Sequence, residues 1–123
     1  MSEKLHPVVA IVDDDGFVRE SLRLMLETAG CDVDTFVSAP QFLEFPNSER
    51  TTCLLVDQQM PNVTGLELLR RLGEQGIRIP TALMTGSPSA ELTRQALALG
   101  AVTVMSKPMS EVDLLRFVHR ASR

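Results

Sequence analysis

Four short apolar runs in this chain are each followed by side chains suited to phosphate chemistry. These side chains are Asp13 and Asp14 after residues 8–12, Asp57 after residues 53–56, Thr85 after residues 81–84, and Lys107 after residues 102–106. In an open parallel sheet, ligands bind in the crevice outside the carboxyl ends of the strands, so we expect these side chains to share one pocket. Three carboxylates, a hydroxyl and an ammonium group there indicate a site for a divalent cation and a phosphoryl group.

The charges in such a pocket predict its chemistry. Two carboxylates about 4 Å apart repel by roughly 4 kcal/mol at an effective dielectric constant near 20. We therefore expect Mg²⁺ beside Asp13, Asp14 and Asp57, because this ion binds through one or two carboxylates together with phosphate oxygens. Asp57 ends the central strand and is the candidate nucleophile, since a carboxylate can accept a phosphoryl group as an acyl phosphate. Lys107 would offset charge on the phosphoryl oxygens, and Thr85 would donate a hydrogen bond to one of them.

Strand-like and helix-like segments alternate along the chain. The predicted strands are residues 8–12, 32–36, 53–57, 81–85 and 102–106. The predicted helices are residues 15–29, 38–45, 65–74, 89–99 and 110–121. Most of these strands are continuous apolar runs, which is typical of parallel strands buried on both faces, whereas Asp32 and Asp34 suit the second strand to a sheet edge. The pattern predicts an α/β fold in which helices cover both faces of a five-stranded parallel sheet.

Apolar spacing also predicts which side of each helix is buried. The expected inward faces are Val18, Leu22, Met25, Leu26 and Ala29 in the first helix, Leu66, Leu69 and Leu72 in the third, and Val112, Leu115 and Val118 in the last. Asp15 is expected to cap the first helix, and Ser110 the last. Gly65 and Pro61 are expected to shape the loop after Asp57.

Composition sets the class of protein. A chain of 123 residues is expected to form a single domain over residues 1–123, with its core between about residues 7 and 121. The net charge of −4 and the lack of a basic patch argue against direct binding of nucleic acid. The sequence has neither a signal peptide nor an apolar stretch of about 18 residues, so no membrane association and a cytoplasmic location are expected. Cys31 and Cys53 lack metal-ligand spacing and are expected to be buried free thiols.

From about residue 7 to residue 121, the chain resembles the receiver domains of bacterial response regulators. The motifs that carry the resemblance are the acidic pair in residues 11–15, the D-x-x-M-P-x-x-x-G segment of residues 57–65, Met-Thr-Gly at residues 84–86, and Ser-Lys-Pro at residues 106–108. One such motif is a weak signal. Four such motifs, in the same order and on the same predicted elements, are a specific signal for this family.

The resemblance implies a flavodoxin-like, doubly wound sheet with strand order 2-1-3-4-5. It implies that a sensor histidine kinase or a phosphotransfer protein phosphorylates Asp57, with slow autodephosphorylation afterwards rather than enzymatic turnover. Asp13, Asp14, Asp57 and the backbone carbonyl of Gln59 would then hold Mg²⁺. Thr85 would sense the phosphoryl group and Lys107 would pair with it, and the peptide bond between Lys107 and Pro108 would be cis.

The resemblance also bears on how a signal would leave the site. Regulators of this kind usually carry Tyr or Phe three residues before the lysine, where this chain has Val104, so the usual aromatic switch is lacking. The spacing from Arg19 onward and residues 100–102 look most like regulators whose output is a helix-turn-helix domain. Phosphorylation is expected to change either self-association, as a homodimer, or partner binding through the face of the fourth helix, the last strand and the last helix. The chain is expected to be a stand-alone regulator or the receiver part of a longer one.

Other classes of protein place acids in similar positions. A magnesium phosphatase with an aspartyl nucleophile usually has a second acid two residues later, where this chain has Gln59. A pseudo-receiver that acts only as a protein-interaction module would lack the acidic pair or Lys107, and both are present. A flavin or cobalamin protein of the same fold would need aromatic rings for stacking or an axial histidine motif, whereas this chain has no Tyr or Trp and no such histidine motif.

Overall fold

The computed structural model describes residues 6–123, and residues 1–5 lie outside it. Its strands are β1 (Val8–Val12), β2 (Asp32–Phe36), β3 (Cys53–Asp57), β4 (Thr81–Thr85) and β5 (Thr103–Ser106). Its helices are α1 (Gly16–Thr28), α2 (Ala39–Glu44), α3 (Gly65–Glu74), α4 (Ala90–Ala98) and α5 (Glu111–Ala121). All neighbouring strands are parallel and their order is β2-β1-β3-β4-β5, which confirms the predicted fold and the edge position of β2.

The sheet has a packed hydrophobic core on each face. On one face, Val12, Val56 and Leu83 pack against α2, α3 and α4. On the other face, Ile11 and Leu55 pack against α1 and α5. Because successive side chains of a strand point to opposite faces, strands covered on both sides are apolar at nearly every position.

Short polar side chains set the first residue of each helix. Asp15 caps α1, where its carboxylate accepts hydrogen bonds from the backbone amides of Phe17 and Val18, as predicted. Ser38, Ser89 and Ser110 cap α2, α4 and α5. These residues satisfy amides that have no partner within the helix, so α1, α2, α4 and α5 each begin one residue after the predicted start, whereas α3 begins at Gly65 as predicted.

Two predictions about burial are wrong. Val112 is 62% exposed, whereas the buried residues of α5 are Leu114, Phe117 and Val118. The sequence of α5 contains two overlapping apolar stripes, and the one that docks is the stripe with the larger side chains. Ala29 is also exposed, because it is the C-cap of α1, where the helix ends and the chain turns at Gly30 to enter β2. Within residues 6–123, none of the helices has the length and apolar character needed to cross a membrane.

Candidate functional site

Three carboxylates meet at the carboxyl edge of the sheet. One carboxylate oxygen from each of Asp13, Asp14 and Asp57 lies within 4.8 Å of the other two. β1 and β3 are hydrogen-bonded neighbours with Val12 opposite Val56, so the residues that follow these two positions are brought side by side. Asp13 and Asp57 are buried, whereas Asp14 is exposed. The predicted acidic cluster is therefore present, with one carboxylate open to solvent.

Lys107 lies between the two buried carboxylates. Its ammonium nitrogen is 3.1 Å from Oδ2 of Asp13 and 3.0 Å from Oδ1 of Asp57. The Lys107 backbone amide donates to the carbonyl of Thr85 at 2.8 Å, and a cis peptide bond joins the lysine to Pro108, as the resemblance implied. One ammonium group among three carboxylates leaves the cluster two charges negative, which favours a further cation.

Burial and ion pairing act on these groups in opposite directions. Burial raises the pKa of Asp57, and the charge of Asp13 adds to the rise, while the hydrogen bond from Lys107 opposes it. For Lys107, burial by itself would lower the pKa, but the contacts with Asp57 and Asp13 outweigh it and the net shift is upward. The lysine therefore stays charged in the pocket. Burial makes the Asp57 carboxylate more basic than a carboxylate in water.

The position of Asp13 is determined by several hydrogen bonds. Its Oδ1 accepts from the amide of Asp15 at 2.9 Å, and its own amide donates to the carbonyl of Phe36 at 3.1 Å. Nη1 of Arg19 donates to the Asp13 carbonyl at 2.7 Å. This contact of Arg19 could not be predicted from sequence spacing, since six residues separate it from Asp13 and no periodic pattern links a helix residue to the preceding loop.

Gly65 lets the start of α3 lie directly against the end of β3. A Cβ at this position would be 2.4 Å from Cδ1 of Leu83 and 2.8 Å from the carbonyl oxygen of Asp57. Before it, Asn62 has a φ of 73°, the left-handed conformation that lets the loop turn back after Pro61. The prediction that Gly65 shapes this loop is confirmed, and the reason is steric.

Thr85 is fully buried, and its hydroxyl contacts the loop that follows Asp57. Nε2 of Gln59 lies 3.1 Å from Oγ1 of Thr85, and the Ser87 amide donates to the same oxygen at 3.0 Å. The backbone amide of Gln59 also donates to Oδ1 of Asp57 at 3.3 Å. From the sequence, a role was predicted only for the backbone carbonyl of Gln59, and the contact of its side chain with Thr85 was missed.

The donor set fits a hard divalent cation. Carboxylate oxygens are the ligands that Mg²⁺ prefers, and Asp14 presents one of them to solvent, where water can complete the coordination. The participation of the Gln59 carbonyl remains a prediction. Among the described residues, the histidines are exposed and the two cysteines are buried away from this edge as free thiols, so the cluster has no soft ligand.

Comparison with known proteins agrees with this geometry. The family model of the response regulator receiver domain matches residues 9–119. The chain belongs to this family. It is 39% identical over 114 residues to the transcriptional regulatory protein FixJ of Rhizobium meliloti. These aligned residues cover 93% of this chain and 56% of FixJ. It is 37% identical over 113 residues to the transcriptional regulatory protein TdiR of Thauera aromatica. This alignment covers 92% of this chain and 50% of TdiR.

Solved structures show the same fold. The crystal structure of FixJ-N superposes with a TM-score of 0.88 at 37% identity and covers 97% of this chain and 95% of that one. The response regulator StyR gives a TM-score of 0.87 at 37% identity, over 95% of this chain and 59% of StyR. The chain spans about half the length of the curated relatives it matches.

Family membership decides between the classes considered above. The chain is a two-component receiver domain and a phosphoacceptor. Receiver domains of response regulators are generally not classical enzymes. The alternative of a pseudo-receiver that serves only as an interaction module is not supported. Receiver domains of response regulators interact with histidine kinases.

Proposed function

We propose that Asp57 accepts the phosphoryl group and that Asp13, Asp14, Thr85 and Lys107 assist the transfer. The observation that carries this proposal is the position of Asp57, whose carboxylate is buried beside Asp13 and lies 3.0 Å from the ammonium group of Lys107. The donor is a phosphohistidine of a sensor histidine kinase or of a phosphotransfer protein, or a small acyl phosphate. A carboxylate oxygen of Asp57 forms a bond to phosphorus while the bond from phosphorus to the donor breaks, which leaves an aspartyl phosphate and the free donor.

Residues around Asp57 stabilise the charge that arrives with the phosphoryl group. Lys107 is held near Asp57 by its second contact, with Asp13, and can pair with a phosphoryl oxygen without moving far. Thr85 is at the end of the neighbouring strand and can donate its hydroxyl proton to another phosphoryl oxygen. Because these groups are in place before the reaction, little reorganisation is needed during transfer.

Magnesium is part of the proposal. Asp13, Asp14, Asp57 and the backbone carbonyl of Gln59 would hold the ion, which when bound offsets negative charge on the phosphoryl oxygens. The exposed carboxylate of Asp14 is the group best placed to admit the ion from solvent. We also propose that the domain takes a phosphoryl group from a small donor in the presence of Mg²⁺ and loses it slowly by hydrolysis. The proposed location is the cytoplasm.

Acetyl phosphate tests the assignment directly. Wild type, Asp57→Asn and the control Asp32→Asn, an exposed residue at the start of β2, are incubated with acetyl phosphate and Mg²⁺ and then weighed intact by mass spectrometry. We expect wild type and Asp32→Asn to gain one phosphoryl group, and Asp57→Asn to gain none. Chelation of Mg²⁺ should abolish the gain. An equal gain in Asp57→Asn would refute the role of Asp57.

A further inference from the structure

The hydroxyl of Thr85 is surrounded by donors. A hydroxyl group has one proton to donate and two lone pairs with which to accept. Nε2 of Gln59 lies 3.1 Å from Oγ1 of Thr85, and the backbone amide of Ser87 donates to the same oxygen at 3.0 Å. Both lone pairs are then occupied, and the proton is the only remaining hydrogen-bonding capacity of this fully buried side chain.

The orientation of the Gln59 amide follows from its second neighbour. Oε1 of Gln59 lies 3.5 Å from the backbone nitrogen of Gly86, which can only donate. This contact is long, but it favours the amide orientation in which Oε1 faces Gly86 and Nε2 faces Thr85. Oε1 is also 3.4 Å from Oγ1 of Thr85 and can accept the hydroxyl proton, but this contact is longer and weaker than the 3.1 Å contact of Nε2, so an anionic phosphoryl oxygen can replace it.

We infer that the Gln59 side chain is a positioning residue that makes Thr85 a hydrogen-bond donor toward the phosphoryl group on Asp57. This inference rests on the proposed function, and it assigns to Gln59 a role separate from that of its backbone carbonyl. A hydroxyl whose lone pairs are filled has its proton directed away from both donors. The proton is then available to an anionic oxygen without the cost of reorienting the group when the phosphoryl arrives.

Gln59 is well placed to exert this effect from the reacting residue's own loop. Its backbone amide donates to Oδ1 of Asp57, and its side chain reaches the end of β4, so it spans the gap between the phosphoacceptor and the hydroxyl. The residue itself is exposed, whereas Thr85 is buried, so substitution at Gln59 alters the surface of the pocket without opening the core.

Beryllofluoride, a stable mimic of the phosphoryl group, provides the test. Its dissociation constant is measured by titration with Mg²⁺ present for wild type, Gln59→Met, Thr85→Val and the double variant. Methionine keeps the length of the side chain and removes its hydrogen bonds. We expect Gln59→Met to weaken binding about three- to tenfold, the effect of losing part of one hydrogen bond to a charged group, and to have no further effect when Thr85 is already valine.

Gln59→Glu gives a sharper comparison. A glutamate at this position accepts a hydrogen bond and draws the hydroxyl proton of Thr85 to itself, so binding should fall further than in Gln59→Met. Part of that loss is charge repulsion and persists in the Thr85→Val background, whereas the part that acts through the hydroxyl disappears there. Gln75→Met, at the exposed end of α3, is the matched control and should bind as wild type does.

Fluorine NMR of the complex supplies a readout that a merely structural role would not change. Thr85→Val should shift the resonance of the fluorine that receives its hydrogen bond, and Gln59→Met should shift that same resonance while the others stay in place. If Gln59→Met weakened binding equally in the wild-type and Thr85→Val backgrounds, the inference would be overturned and the proposed function would stay intact. Failure of wild type to bind beryllofluoride would overturn the proposed function together with it.

Discussion

Lys107 follows the edge strand β5, yet its ammonium nitrogen lies 3.0 Å from a carboxylate oxygen of Asp57 at the end of the central strand β3. The side chain crosses the end of β4 to make this contact, and only 22% of it is exposed. The ion pair thus connects the end of the edge strand with the end of the central strand, in addition to the backbone hydrogen bonds of the sheet. Buried charges of this kind are costly to leave without a partner.

Loss of this cation should therefore destabilise the metal-free protein. We expect Lys107→Met to lower the free energy of unfolding by about 2 kcal/mol, less than for a fully buried pair because the lysine is partly solvated and Asp57 can take up a proton. Urea denaturation at neutral pH in a chelator measures the change. The control is Arg50→Met, which breaks an exposed ion pair with Asp34 and should change stability much less. Equal losses would show that the pocket pair has no special role.

Much of this site could be predicted from the sequence because it depends on strand ends. A buried strand is visible as an apolar run, and the residue after each run reaches the same edge, so the positions of Asp57 and Lys107 required no knowledge of side-chain conformation. The contacts of Arg19 with Asp13 and of Gln59 with Thr85 were missed because they depend on rotamers and on the path of two loops. Their residue types carry no periodic signal.

The errors in burial have a related origin. Val112 fits an apolar stripe with Leu115 and Val118, but the stripe that faces the sheet contains Leu114 and Phe117. Spacing alone does not choose between two overlapping stripes on one helix. The choice depends on the area each stripe buries against the sheet, and that area is a property of the packed structure.

Gly65 gives a second prediction, on the packing of α3 against β3. Gly65→Ala should lower the free energy of unfolding by about 1–3 kcal/mol, because the added methyl group overlaps Leu83 and the carbonyl of Asp57. Gly73→Ala in the same helix is the matched control, since nothing lies within 4 Å of its Cβ position. It should raise stability by about 0.5–1 kcal/mol through higher helix propensity. Denaturation curves that place both changes in the same direction would contradict the steric assignment.

Magnesium should stabilise the folded domain by mass action. At about ten times its dissociation constant, the ion should add about 1.4 kcal/mol to the free energy of unfolding and raise the melting temperature. Asp14→Asn should weaken this response and raise the stability of the metal-free protein, because one repulsive charge is lost. Asp15→Asn is the neighbouring control, since asparagine can also cap α1. Absence of any shift in wild type at millimolar Mg²⁺ would contradict the site.

The raised pKa of Asp57 predicts how metal-free stability depends on pH. Burial raises this pKa above the ordinary value of 3.8, so between the two values the native state binds more protons than the unfolded state. Asp57 therefore makes its whole contribution to the free energy of unfolding at pH values below its ordinary pKa. This contribution is lost as pH rises through the pKa of Asp57 in the native state. The stability of Asp57→Asn relative to wild type should grow over this range in urea denaturation series. A relative stability that falls as pH rises would refute the sign of the shift.

The face formed by α4, β5 and α5 is the proposed route of output. Val104 in β5 is partly buried and has no aromatic ring to swing, so we expect the loop of residues 86–89 and α4 to carry the change. The charged and polar residues of this face are Arg94, Gln95, Glu111, Asp113 and Arg116. Arg94 pairs with Glu91 in its own helix, and Arg116 lies 3.7 Å from Asp113 in α5, so both arginines already have a partner in a single copy.

Phosphorylation should shift self-association through this face by about 1–3 kcal/mol, the usual size of coupling between two sites. Sedimentation of wild type with and without beryllofluoride measures the shift, and amide signals of residues 86–99 report whether the site reaches α4. Arg94→Glu should weaken the association. In a two-fold interface the residue occurs once in each copy, so the substitution reverses two charges at once. Arg78→Glu, exposed just before β4, is the control and should associate as wild type does. An unchanged association state together with unmoved amide signals would mean that the site and this face are uncoupled.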